Sequence, residues 1–103
     1  MTDEPWEQRL AGLPTHDRHG VTVHVADTFR ARRRGLARMT PLPPGRALLI
    51  APCRSVHTFR MRFALDLTWL DAHGEVVRED RAVPPNRVRT CLRARAVLES
   101  PTP

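Results

Sequence analysis

The 103-residue chain contains no lysine and no tyrosine, a single asparagine (Asn86) and a single isoleucine (Ile50). Two cysteines, Cys53 and Cys91, are too few for a disulfide framework and are expected as free thiols. No run approaches the roughly 20 apolar residues that a membrane-crossing helix needs. The first residues, Met1 to Glu7, are acidic and have no apolar core, which argues against a secretory signal and makes a cytoplasmic location the expectation. All seventeen basic residues are arginine, and the net charge is +6. Lysine, tyrosine, asparagine and isoleucine have AT-rich codons, whereas the abundant arginine, alanine and proline have GC-rich ones. A GC-rich bacterial genome therefore explains the charge without an anionic partner. Surfaces that hold nucleic acid usually mix lysine with arginine, and those for single strands add exposed aromatics. Five aromatics in the whole chain make that function a minor alternative, carried by Arg30, Arg34 and Arg38.

With 41% apolar residues, the chain is long enough for one domain with a modest core. Residues 1–20 read as an N-terminal arm, loosely ordered or forming one short helix, because Trp6 and Leu10 lie i,i+4 apart. Val21 to Ala26 alternates as a first strand. Asp27 or Thr28 suits a helix N-cap, with Phe29 and Leu36 on one side of the helix and Arg30, Arg34 and Arg38 on another that should face water. Gly35 is placed to end that helix, with Arg32 to Arg34 in its last turn. Prolines 41, 43 and 44 mark a loop, and Ala47 to Ala51 a short buried strand. A turn over Asp71 to Glu75 joins the next strand to a hairpin partner ending at Val83. Leu92 to Leu98 reads as a last strand and residues 100–103 as a frayed tail. The fold expected is mainly β: a small single-domain β-sandwich or partly open barrel over residues 21–99, with one short helix after the first strand.

The densest chemistry lies in CRSVHTFRMRFALDLTWLD, residues 53–71. Its odd positions, from His57 through Met61 and Leu65 to Trp69, form one face, and its even positions the other. As a single strand, sixteen residues at about 3.3 Å each would span roughly 50 Å. A chain of this length has a radius of gyration of about 13 Å, so the stretch must bend, and Arg62 to Leu65 is the least strand-like place. Two strands, Ser55–Met61 and Asp66–Asp71, are expected. His57 would then face apolar neighbours, Arg62 and Asp66 would pin the bend, and Asp71 would accept backbone N–H groups in the turn.

Three uses of these residues present themselves. A cleft near His57, Thr58, Arg62, Asp66 and Asp71 would hold a small polar ligand in a non-catalytic binding or interaction domain. Alternatively Cys53 is a nucleophile and His57 its base, with Asp66 or Asp71 orienting the imidazole. Cys53, His57 and Cys91 as zinc ligands are too few for a closed structural site, so no metal and no cofactor are expected.

The string Cys53-x-x-Val56-His57-Thr58-Phe59-x-Met61-Arg62-Phe63-x-x-Asp66-x-x-Trp69-Leu70-Asp71-x-x-Gly74-x-Val76-Val77 resembles the signature of the prokaryotic family "domain of unknown function 192". Val23-x-Val25-Ala26-Asp27-Thr28, Arg34-Gly35-Leu36, Leu42-Pro43, Gly45 and Ala94-x-x-Val97-Leu98-Glu99 fit the same family. The resemblance implies a compact β-sandwich or barrel-like domain and no inherited catalytic roles. Ala64 stands where members usually have proline. Members usually continue beyond the Val-Leu-Glu segment with a helix and a strand, so an open edge is expected after Glu99. A second copy in a homodimer, another protein, or the arm with Trp6 would cover it.

Overall fold

The computed structural model describes residues 2–103. Two short helices, α1 (Trp6–Leu10) and α2 (Phe29–Arg34), accompany eight strands: β1 (Thr15–Arg18), β2 (Val21–Ala26), β3 (Arg46–Ile50), β4 (Ser55–His57), β5 (Leu65–Leu70), β6 (Val76–Val83), β7 (Val88–Thr90) and β8 (Ala96–Pro101). Six strands form one open sheet in the order β1-β2-β3-β8-β5-β6, and β4 pairs with β7 apart from it. The fold is mainly β, as expected, and the sheet does not close into a barrel. Of the strand pairs among the described residues, only β2 and β3 run parallel, because α2 and the proline loop carry the chain across between them. Among the described residues, no helix is long and apolar enough to cross a membrane.

The main core lies on one face of the sheet, where Leu48, Ile50, Leu65, Leu67, Trp69 and Val97 meet Leu10, Leu36 and Met39. The middle strands also bury their opposite face through Val23, Ala47, Leu70, Ala96 and Leu98. Trp69 is fully buried, and its indole N–H donates to Asp80 at 3.0 Å. Burial pushes the Asp80 carboxyl up, but hydrogen bonds from Arg78 and Trp69 outweigh it and hold the pKa below the ordinary value.

Several boundaries differ from the sequence expectation. The segment before β2 holds α1 and also β1, which pairs with β2 in register Thr15↔His24 to Arg18↔Val21. Leu10 enters the core, and Trp6 stands edge-on to the buried His24. The last strand begins at Ala96 rather than Leu92 and runs through Ser100 to Pro101, so the expected frayed tail is partly strand. Thr102 follows it, bonded to Ala64 and Asp66. The edge expected after Glu99 is occupied: Glu99 stands opposite Leu48 on one side and Leu67 on the other. The open edges of the large sheet are β1 and β6.

The 53–71 stretch does break in two, but earlier than expected, and its alternation changes phase. β4 ends at His57, and a turn follows in which Arg60 has φ 65°. Before that turn Val56 and Thr58 are buried while His57 is exposed; after it Leu65, Leu67 and Trp69 are buried. A left-handed residue between two strands resets which parity faces inward. His57 therefore points outward, opposite to its expected orientation.

Candidate functional site

Glu99 occupies a position that the sheet's alternation assigns to an apolar residue. Its cross-strand neighbours Leu48 and Leu67 are buried, and Val97, two residues earlier, is fully buried on the same face. Glu99 is 4% exposed, and among the described residues its Oε1 has no hydrogen-bond partner. Burial alone raises the carboxyl from its ordinary 4.5 to about 7. An unpaired polar atom inside a core costs about 1–3 kcal/mol, so its presence calls for an explanation.

The explanation offered by the geometry is a cavity of about 240 Å³ beneath the end of α2. Glu99 shares its walls with Cys53 and His57 from the β4 side, Arg32 and Arg33 from α2, and apolar Ile50 and Met61. The local sequence explains the approach of α2. Thr28 caps the helix by accepting the Ala31 N–H at 3.0 Å, as its type and position imply. Gly35 ends the helix at φ 51°, and a Cβ there would lie 3.2 Å from Glu99 Oε1. Only glycine meets both the left-handed backbone and the close approach without strain. The turn beyond is held from below by Arg9, whose guanidinium donates to the carbonyls of Gly35 (3.1 Å) and Ala37 (2.7 Å). Glu4 pairs with both Arg9 and Arg34, and the hydrogen bond from Arg9 holds its carboxyl below the ordinary range.

The residues proposed from sequence are distributed differently from their spacing. Cys53 and His57 both line this cavity. The Cys53 thiol is half-buried, donates to the Ser55 carbonyl at 3.4 Å, and is pushed above the ordinary thiol value by burial, with nearby Glu99 adding to the rise. His57 stacks on Phe59 with ring centroids 4.9 Å apart. Thr58 is buried and pins the 84–87 loop, donating to the Pro84 carbonyl at 2.7 Å and accepting the Arg87 N–H at 2.8 Å. Arg62 does not pair with Asp66: its Nε donates to Asp3 at 3.0 Å. Asp66 instead accepts the Ala82 N–H at 2.8 Å and the Thr102 hydroxyl at 2.9 Å. Asp71 accepts the N–H groups of His73 and Glu75, and these bonds hold its carboxyl below the ordinary value. Thus Thr58, Arg62, Asp66 and Asp71 serve turns and termini, and none lines the Glu99 cavity.

Two alternative sets also come apart. Cys91 is buried in the core, and among the described residues no group of three or more Cys, His, Asp or Glu converges as metal ligands. Arg34 is engaged by Glu4, and Arg38 lies beyond the helix at φ 56°, so Arg30, Arg34 and Arg38 form no common helical face. Glu99 is the residue that sequence reasoning passed over. The signal for it was a lone carboxylate closing the apolar run Ala-Val-Leu in a strand with regular alternation.

A sequence model of the family described as DUF192, "Uncharacterized ACR", matches residues 12–102. No curated protein matches the chain. Among solved structures, a candidate transcription regulator from Sinorhizobium meliloti 1021 superposes with a TM-score of 0.72 at 17% identity, over 80% of this chain and 69% of that one. A protein of unknown function from Novosphingobium aromaticivorans DSM 12444 superposes with a TM-score of 0.70 at 15% identity, over 93% of this chain and 85% of that one. At such identities the likeness concerns the fold.

Proposed function

The chain belongs to the domain of unknown function 192 family, and from that premise we propose that it is a non-catalytic binding domain for a small polar ligand held in the Glu99 cavity. The observation that carries this reading is the buried Glu99 Oε1, without a hydrogen-bond partner among the described residues, in a cavity whose wall mixes apolar side chains and guanidiniums with Cys53, Ser55 and His57. A concave, partly apolar site with a few convergent polar groups is the usual form of a small-molecule pocket. A ligand hydroxyl or N–H donated to Glu99 would replace the missing hydrogen bond, and His57 at the mouth offers a second polar contact. The site therefore shifts from the cleft expected around His57, Arg62 and Asp66 to the other side of His57.

The cysteine-nucleophile reading is less well supported. It needs a thiolate near neutral pH, whereas burial and Glu99 both favour the protonated Cys53 thiol. A thermal-shift screen of polar metabolites on the wild-type protein and on Glu99→Gln tests the binding reading. The expected result is a rise in Tm with at least one compound that is lost or much reduced in Glu99→Gln. If no compound stabilises the wild type, or if stabilisation is unchanged in the variant, the cavity is not the binding site.

A further inference from the structure

Beside the Glu99 cavity lies an open recess of about 440 Å³, and the two share Arg33, Arg34, Ala37 and His57 in their walls. Arg38 and Arg60 add their side chains to the recess, and Phe59 stands at its edge, 43% exposed and stacked on His57.

Three observations, taken together, point to this recess as a site. Arg34 is neutralised by Glu4, but among the described residues Arg33, Arg38 and Arg60 have no carboxylate partner. Arg38 and Arg60 both hold left-handed backbone, at φ 56° and 65°, and the Arg38 N–H donates to the Arg60 carbonyl at 2.9 Å. Glycine or asparagine would adopt that conformation more cheaply, and such strain gathers at ligand sites. The recess also shares walls with the cavity lined by Glu99, whose Oε1 is buried without a hydrogen-bond partner among the described residues, so one molecule can meet both features.

The charge pattern selects the ligand. Guanidiniums around the mouth repel a cationic group, so the head that reaches Glu99 is a neutral donor. The end left in the recess meets three unpaired guanidiniums, whose planar forks match the oxygens of a phosphate dianion. We propose that the two cavities form a single site for a phosphate ester of a neutral polar molecule, with the phosphate on Arg33, Arg38 and Arg60 and a hydroxyl or amide N–H on Glu99. This rests on the binding reading of the Glu99 cavity. Nucleoside monophosphates and sugar phosphates share this chemistry.

Isothermal titration separates the possibilities with matched probes: guanosine 5′-monophosphate against guanosine, and glucose 6-phosphate against glucose. In at least one pair the phosphate ester should bind about tenfold or more tightly than its parent, as expected for added charge-assisted hydrogen bonds. The double variant Arg38→Gln, Arg60→Gln, at two residues that line the recess but not the Glu99 cavity, should abolish that preference while leaving the parent's affinity unchanged, and Glu99→Gln should weaken ester and parent alike. The pair that shows the preference identifies the head group. Equal binding of ester and parent, both weakened in Glu99→Gln, overturns the phosphate assignment and leaves the cavity reading standing. Ester binding that is lost in the arginine variant but unchanged in Glu99→Gln overturns the cavity reading and the single-site proposal. Failure of both esters to bind overturns the proposal outright.

Discussion

At the scale of single residues, the chemistry of the Glu99 cavity follows from desolvation more than from charge pairing. Glu99 and Cys53 are both pushed towards their protonated forms by burial, and the arginines at the rim do not reverse either shift. A protonated thiol beside a carboxyl that is about half protonated near neutral pH suits hydrogen bonding rather than nucleophilic attack. Alkylation of Cys53 with iodoacetamide, followed against pH in a Cys91→Ala background, should give a midpoint above that of free cysteine measured alongside. A midpoint below the free thiol's would restore the nucleophile reading. His24 shows the same principle. Burial and the guanidinium of Arg46, which bonds Nε2 at 3.0 Å, hold its pKa below the ordinary value.

At the scale of elements, the Arg34-Gly35-Leu36 turn sets how closely α2 approaches β8. Gly35→Ala would place a methyl 3.2 Å from Glu99 Oε1 on backbone at φ 51°. It should cost about 1–3 kcal/mol of stability, the range for a strained left-handed residue, measurable by urea denaturation. A neutral result would mean that the turn relaxes and that Gly35 does not set the cavity's depth. Elements of this kind were partly legible in the sequence. Thr28 and Gly35 announce their helix by type and spacing, and the period of two in Leu65, Leu67 and Trp69 identifies the central strand. The phase change at Arg60 was not legible, because arginine carries no signal for left-handed backbone. Its consequence is that His57, read as inward with Phe59 and Met61, turns out to the cavity mouth. The Arg62–Asp66 pair failed for a related reason: four-residue spacing implies contact only on a helix. Here Asp3 and Thr102, far away in sequence, supply the partners.

At the scale of the whole molecule, the sheet brings sequence-distant segments to one site: α2 from near the start of the chain, β4 from its middle and β8 from its end. The strand β8 lies between β3 and β5, so the closing segment forms the centre of the sheet rather than an edge. Composition and alternation announced the β class, but strand order depends on long-range pairing that no local pattern encodes. The same pairing places Glu99 between two leucines, and that placement makes the carboxyl a cost to folding. Because its folded pKa of about 7 lies above the ordinary 4.5, the native state keeps the proton longer than the unfolded chain. Stability from this group is fully present below about pH 4.5 and is lost as pH rises towards about 7. The loss amounts to roughly 3 kcal/mol for a shift of this size. His24 contributes the opposite slope on the acid side, because its folded pKa is lowered, but it does so equally with or without Glu99.

The most direct measurement is therefore the unfolding free energy of the wild type and of Glu99→Gln at pH 5 and at pH 8, taken from urea melts. The difference, variant minus wild type, should be roughly 2.5 kcal/mol more favourable at pH 8 than at pH 5. An equal difference at the two pH values would mean that Glu99 is paired or solvated, and the account of a buried carboxyl kept for ligand binding would fail.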